Sequence, residues 1–263
     1  MTRRWGLALA LALCAGGWAG ADVWDVQSLN DDTSATHNEL VHGSSQVHDL
    51  GTSPGLVADV DWYRIGQTAL ASYEVVVDGT SGDHGSFGPD VHRVLSDGTI
   101  LQGSLPVTLG IDYSRSLRWQ NAATAAVSDE YVRVKSFGCT AFFCGTDDVY
   151  VIRAYETTYS IPRFNNSASQ LTILQVQNPT AAPVDVTIGF WNATGAHLGS
   201  HVATLAPHAL LVVNTSTLGY AAGQSGSITV SNTARYGHLA GKAVALEPTT
   251  GFTFDTPMAP RSN

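Results

Sequence analysis

Along nearly the whole chain, hydrophobic and polar residues alternate with a period of two, and outside the first twenty residues no 3.6-residue periodicity competes with it. Val184, Val186, Ile188 and Phe190 alternate with Asp185, Thr187, Gly189 and Trp191, which describes a strand with one core face. Tyr73, Val75 and Val77 alternate with Glu74 and Asp78 in the same way, and Asp97-Gly98 separates Val94-Leu95 from Ile100-Leu101 as a hairpin turn requires. Further strands are predicted at 171–177, 198–204, 209–214, 226–231, 238–246 and 251–255, and in this last run Phe252 and Phe254 are assigned to the core face. Strands recurring at short intervals between turn signals predict an all-β chain of two β-sandwich domains in tandem. The Pro- and Asn-bearing stretch Ile161 to Ser167 reads as the junction, giving domains at 22–157 and 158–263.

The start of the chain follows another rule. Arg3 and Arg4 precede an apolar run from Trp5 to Ala15, and Ala19 and Ala21 supply small residues for cleavage, so residues 1–21 are expected to be a signal peptide. The run is far shorter than the ~20 residues a membrane-spanning helix needs, and no later segment approaches that length. The expected location is therefore secreted, periplasmic or at the cell surface, with no transmembrane segment in the mature chain. The polar stretch 22–53 reads as a lead-in arm with one early strand, and its His37, His42 and His48 show no ligand spacing.

Composition narrows the partners. The 263 residues include 13 basic and 22 acidic ones, and loss of Arg3 and Arg4 leaves 11 basic residues and a formal charge of −11. Lys135 and Lys242 are the two lysines, and the arginines are scattered singly along the chain. Nucleic acid and anionic membrane surfaces both call for clustered basic residues, so neither is expected as a partner. Cys139 and Cys144 form an even pair in an exported chain and predict a disulfide closing a small loop.

In the first half, the runs Asp59–Ile65 (DVDWYRI), Ser72–Gly79, Asp90–Gly98, Glu130–Val134 and Val149–Ile152 follow in an order that resembles the bacterial pre-peptidase C-terminal domain family. The resemblance covers about residues 35–157 and implies a jelly-roll-like sandwich that accompanies or binds other molecules. The stretch around the two cysteines departs from that family's short connection before the last strand. The second half, with Leu174–Thr180 leading into Val184–Trp191 and then a Gly-bearing turn, is similar to immunoglobulin-like modules of bacterial surface proteins. Neither resemblance implies a catalytic residue.

Candidate chemistry is sparse. Gly51–Gly55 fits G-x-S-x-G, but Pro54 after Ser53 and the strand that follows deny it the helix of a nucleophile elbow. His197 and His201 would stand roughly 13 Å apart on a strand, too far for one metal ion. Asp59 and Asp61 would share a strand face about 7 Å apart. Paired carboxylates can bind calcium, and the family resemblance implies it as the candidate cofactor; hydrogen bonds to loop amides would satisfy the same residues. Phe142 and Phe143, at the tip of the predicted disulfide loop, would either dock on a partner or fold back over the sandwich. Trp119 and Trp191 raise the question of stacking on sugar rings. Trp191, out of phase with its strand's apolar face, is the better candidate, though the domain interface could also claim it.

The expected function is a non-catalytic binding or attachment protein recognising an extracellular protein, peptide or polysaccharide through Phe142, Phe143 and Trp191. The alternatives are a secreted hydrolase of unfamiliar type and a structural subunit of a surface assembly.

Overall fold

A computed structural model describes residues 24, 31–51, 59–82, 89–106, 114–136 and 147–261. The described chain is all-β, with four antiparallel sheets forming two sandwiches. The first sandwich contains β1 (Ser45–Asp49), β2 (Val60–Arg64), β3 (Ser72–Gly79), β4 (Pro89–Leu95), β5 (Ile100–Gly103), β6 (Leu105–Pro106), β7 (Arg115–Gln120), β8 (Glu130–Ser136) and β9 (Val149–Glu156). One of its sheets has the order β1-β9-β3-β7-β6 and the other β2-β8-β4-β5. The second contains β10 (Tyr159–Asn165), β11 (Leu171–Gln177), β12 (Val184–Asn192), β13 (His197–Leu205), β14 (Leu210–Asn214), β15 (Ser225–Asn232), β16 (Ala240–Glu247), β17 (Phe252–Pro257) and β18 (Ala259–Pro260). Its sheets run β13-β12-β15-β10-β18 and β14-β11-β16-β17. No described sheet mixes strands from before and after Thr157-Thr158.

Alternation explains both cores. In the first, Val75, Leu117 and Ile152 of one sheet meet Tyr63, Val91, Val132 and Val134 of the other. In the second, Ile161, Ile188, Phe190, Ile228 and Val230 face Leu174, Val176, Val213 and Ala243. Each large apolar side chain so enclosed contributes roughly 1.5–3 kcal/mol relative to exposure. The hairpin turn forms at Asp97-Gly98: Gly98 takes a φ of +84°, and the Asp97 carboxylate accepts the Thr99 amide.

The stretch Ile161 to Ser167, expected as the junction, lies mostly within a strand. β10 lies inside its sheet between β15 and β18, and its register to β15 shifts between Ile161 and Phe164. Pro162 falls in that shift, where two residues of β10 oppose one of β15 and a missing backbone N–H breaks no regular rung.

The passage from one sandwich to the other is tightly bonded. Asn232, fully buried at the end of β15, donates its side-chain amide to the Thr157 carbonyl (2.8 Å) and its backbone N–H to the Ser72 hydroxyl (3.0 Å). Ser72 in turn donates its N–H to Thr158 Oγ1 at 2.9 Å. Further out, Ser231 donates to Gln120 Oε1 (3.0 Å), Arg118 to the Thr233 carbonyl (3.0 Å), and the Tyr236 N–H to the Glu74 carboxylate (2.9 Å). Leu70, with φ +49°, lies against the β12 face, where a Cβ at Gly189 would come within 2.9 Å of its side chain. Bonds of this kind each contribute ~0.5–1.5 kcal/mol net, and together they fix the angle between the sandwiches.

Candidate functional site

Two places carry chemistry beyond ordinary packing. The first is buried in the first sandwich. Antiparallel pairing sets His48 of β1 directly opposite Tyr150 of β9. From the facing sheet, Asp61 and Tyr63 of β2 project into the same space, and Asp31 of the lead-in arm closes it, its carbonyl accepting the Trp62 N–H at 2.6 Å. All five side chains are buried. Tyr150 donates to Asp61, which spends its single hydroxyl proton, so Tyr63 is the donor in the 2.7 Å contact between the two tyrosines.

His48 is held from every side. The Gln46 amide donates its N–H to the Glu39 carbonyl and so turns its oxygen toward His48 Nε2 at 3.1 Å. That acceptor puts a proton on Nε2. Nδ1 then faces Asp31 Oδ2 at 3.7 Å and Asp61 Oδ1 at 3.6 Å. The ring stacks between Trp24 and Tyr150, with centroids 5.2 and 5.5 Å away. Burial raises the Asp61 carboxyl from its ordinary 3.8 to about 6; His48 and Tyr150 pull it down and Asp31 adds to the rise. Burial, reinforced by the neighbouring Asp61, pushes the Tyr150 phenol well above its usual 10.

Among the described residues, Asp31, His48 and Asp61 are the group whose donor atoms could converge on one metal ion, all within 4.8 Å of one another. The calcium implied by the family resemblance does not match these donors. Calcium takes ~6–8 oxygens, and here one of three donors is an imidazole nitrogen. Asp59 is not of the group: it precedes β2, and its Oδ1 accepts the Val60 N–H at 2.9 Å.

The second place is a groove of about 560 Å³ along the domain junction, with walls from both sandwiches. Gln102, Ser116 and Arg118 stand on one side, and Thr180, Arg235 and His238 on the other. It continues into a recess of about 400 Å³ bordered by Arg153, Tyr155, Tyr236 and Glu74. Glu74 is buried there, its oxygens taken by the Tyr236 N–H and the Ser116 hydroxyl. Tyr155 and Tyr236 stack at 5.1 Å with 15° between their planes. Three arginines that sequence order scatters thus surround one groove on an acidic chain, with Glu74 the one carboxylate among the described lining residues.

The residues singled out in the sequence are dispersed. Phe142, Phe143, Cys139, Cys144 and Ser53 lie outside the described residues. Trp191 is half-buried, its indole N–H bonded to Thr229 Oγ1 at 2.9 Å and its ring 5.1 Å from His197. Trp119 is buried, stacked on Tyr73 and bonded to Gln67 at 2.8 Å, so it offers no face to a sugar. His48, read from sequence as one histidine of a polar arm, sits instead at the centre of the acidic cluster. His42 of the same arm accepts the Glu156 N–H and packs edge-on to Tyr236. Phe252 and Phe254, expected in the core, are 76% and 59% exposed. Their face is the predicted one, because Thr256 on the same side is buried, but it overhangs solvent toward the β16–β17 turn. The His48 cluster left two traces in the sequence: Asp61, singled out there as a possible cation ligand, and a histidine at alternating phase within a strand of the arm.

No helix among the described residues is long and apolar enough to cross a membrane. No family model and no curated protein matches the chain. Among solved structures, a β-glucuronidase from Bacteroides uniformis aligns at 12% identity over 77% of this chain and 26% of its own, with a TM-score of 0.21. A glycosyl hydrolase family 2 member from Bacteroides cellulosilyticus aligns at 12% identity over 76% of this chain and 29% of its own, with a TM-score of 0.23. The chain thus spans less than a third of either protein, and similarity at this level carries nothing about its activity.

Proposed function

We propose that the protein is an exported, non-catalytic binding or attachment protein that receives an extracellular protein, peptide or polysaccharide in the groove between its two sandwiches. The observation that supports this is the gathering of Arg118, Arg153, Arg235 and His238 around a groove walled by both domains, on a chain with a net charge of −9. Sites at domain junctions are common, and here the bonded junction holds both walls in place, so little order is lost on binding. Arginines supply directional donors for carboxylates and hydroxyls, and the exposed edge of Tyr236 supplies an apolar face.

Binding to immobilised extracellular polysaccharides and secreted proteins, measured for the wild type and for Arg235→Ala with His238→Ala, tests this reading. Neither side chain carries the junction bonds, so unfolding stays within about 0.5 kcal/mol while affinity for the captured ligand falls at least tenfold. Undiminished capture by the double variant defeats the assignment of the groove. The alternative of a structural subunit draws support from the exposed Phe252 and Phe254 on the edge strand β17, where another chain could pair.

A further inference from the structure

Of the arginines around the groove, Arg235 is the one left unpaired. Arg118 stands opposite Glu74 in the β3–β7 register and spends one N–H on the Thr233 carbonyl, and Arg153 lies 4.0 Å from the Asp78 carboxylate. The Arg235 guanidinium is half-buried, yet it forms no hydrogen bond or ion pair with any described residue. Together with Ser116 and His238 it lines both the groove and the recess, so it stands where the two cavities meet. A planar fork of N–H donors, drawn partly out of water and given no acceptor by the protein, matches the paired oxygens of a carboxylate. Setting Glu74 and Asp78 against the three arginines leaves a surplus of one positive charge. That surplus suits the single charge of a carboxylate better than the roughly double charge of a phosphate monoester.

The shape of the site narrows what carries the carboxylate. Its floor is the outward face of the sheet β1-β9-β3-β7-β6, presenting Glu74 and Val76 of β3, Ser116 and Arg118 of β7, and Arg153 and Tyr155 of β9. A bound peptide takes much of its affinity from main-chain bonds to an open sheet edge. Here β3 is paired on both sides and the Arg118 carbonyl accepts the Gln102 amide, so recognition falls to side chains. Tyr236 keeps one face on Tyr155 and meets His42 edge-on, which fixes the ring while leaving it 37% exposed. A fixed, exposed aromatic ring packs against the C–H face of a sugar, and hydroxyl and amide groups around it address the sugar's hydroxyls. Continuous cavities of about 560 and 400 Å³ have room for a few sugar units.

We propose that the groove selects a carboxylate-bearing polysaccharide, one sugar carboxylate bonding to Arg235 while a sugar ring packs on Tyr236. This rests on the groove being the binding site and adds what the groove recognises.

Calorimetric titration with polygalacturonate, hyaluronate and alginate, each beside its methyl-esterified form, and with poly-glutamate tests the assignment. At least one of the acidic polysaccharides is expected to bind about tenfold or more tightly than its ester, and less tightly as salt is raised. Arg235→Gln abolishes the preference for the acid without shifting the unfolding midpoint, because its side chain bonds nothing at the junction. Tyr236→Leu weakens acid and ester alike. Binding to none of the three polysaccharides overturns the proposal, as does equal binding of acid and ester; if Arg235→Ala with His238→Ala still weakens that equal binding, the groove stands as the site and only its selectivity for carboxylates falls. Tighter binding of poly-glutamate, or affinity indifferent to Tyr236→Leu, overturns the assignment to a sugar. Acid-selective binding that the double variant leaves intact overturns the groove itself.

Discussion

The two sandwiches share an architecture and differ in what they bury. The first encloses Asp31, His48, Asp61, Glu74 and Glu156 beside its aliphatic residues. The second buries uncharged polar groups, and those it buries tie down loops: Asn166 bonds the Ala221 carbonyl and the Thr172 N–H, and Asn178 bonds the carbonyls of Ala182, Leu205 and Ala206. Its centre is apolar, with Phe164 edge-on to Phe190 at 5.3 Å and Tyr220 tilted against the same ring at 5.6 Å. One core is held chiefly by packing and the other by packing plus a charge network, so conditions that leave one untouched should alter the other.

Phe190→Ala gives the largest expected effect. The side chain is fully buried between two aromatic rings, so its removal leaves a cavity and costs about 3–5 kcal/mol, read as a lowered denaturant midpoint. The loss should be the same at pH 5 and pH 7, because no titratable carboxylate or histidine touches the ring in a described contact.

The first sandwich answers to pH instead. With Asp61 facing Asp31, His48 and Tyr150, burial holds its carboxyl at about 6 where an exposed one titrates at 3.8. A carboxyl raised in the folded state binds its proton more tightly there than in the unfolded chain. Its contribution is therefore complete below about pH 4 and is lost as pH rises through 6, a change of ~2–3 kcal/mol. Thermal unfolding followed across pH 4–7 should show the first sandwich losing stability on the alkaline side, and Asp61→Asn should flatten the profile. An unchanged slope in that variant would remove Asp61 as the cause.

Whether the two responses appear as separate transitions depends on the junction. Asn232→Ala removes the amide that bonds the Thr157 carbonyl and the oxygen that accepts the Ala234 N–H, both buried, at a cost of about 1–3 kcal/mol. Calorimetry should then resolve two unfolding peaks where the wild type shows one. A single peak in the variant would mean that Leu70 against β12 and the outer hydrogen bonds suffice to couple the domains.

How far these differences could be read from sequence follows from range. Seven of the nine strands of the second sandwich were legible to within two residues, because alternation and turn residues act locally: 171–177 was predicted and Leu171–Gln177 is observed. β10 was hidden by Pro162, a strand breaker in a regular ladder but not at a bulge. Of the His48 cluster only Asp61 and the phase of His48 were legible, and the arginine groove was not legible at all. Asp31, His48, Asp61 and Tyr150 come from four separate segments and Arg118, Arg153 and Arg235 from three, and only the pairing of distant strands brings each set together.

The smallest expected effect separates position on a face from burial. Phe252 and Phe254 have the same residue type, sandwich and core-side phase as Phe164 and Phe190, yet they lie 76% and 59% exposed while the latter two are fully buried. Along β16, their partner strand, Ala243 is buried whereas Ala245 and Glu247 are only partly so, which tracks the point where the facing sheet stops covering this one. Alternation fixes the side from which a residue projects, and coverage by the opposite sheet decides whether projection becomes burial. Phe252→Ser with Phe254→Ser should therefore change unfolding by no more than about 0.5 kcal/mol per site, while the matching change at Phe190 disrupts the core. A loss of several kcal/mol from the β17 pair would mean that these rings are covered in solution, and if that loss depended on protein concentration, a second copy of the chain would be what covers them.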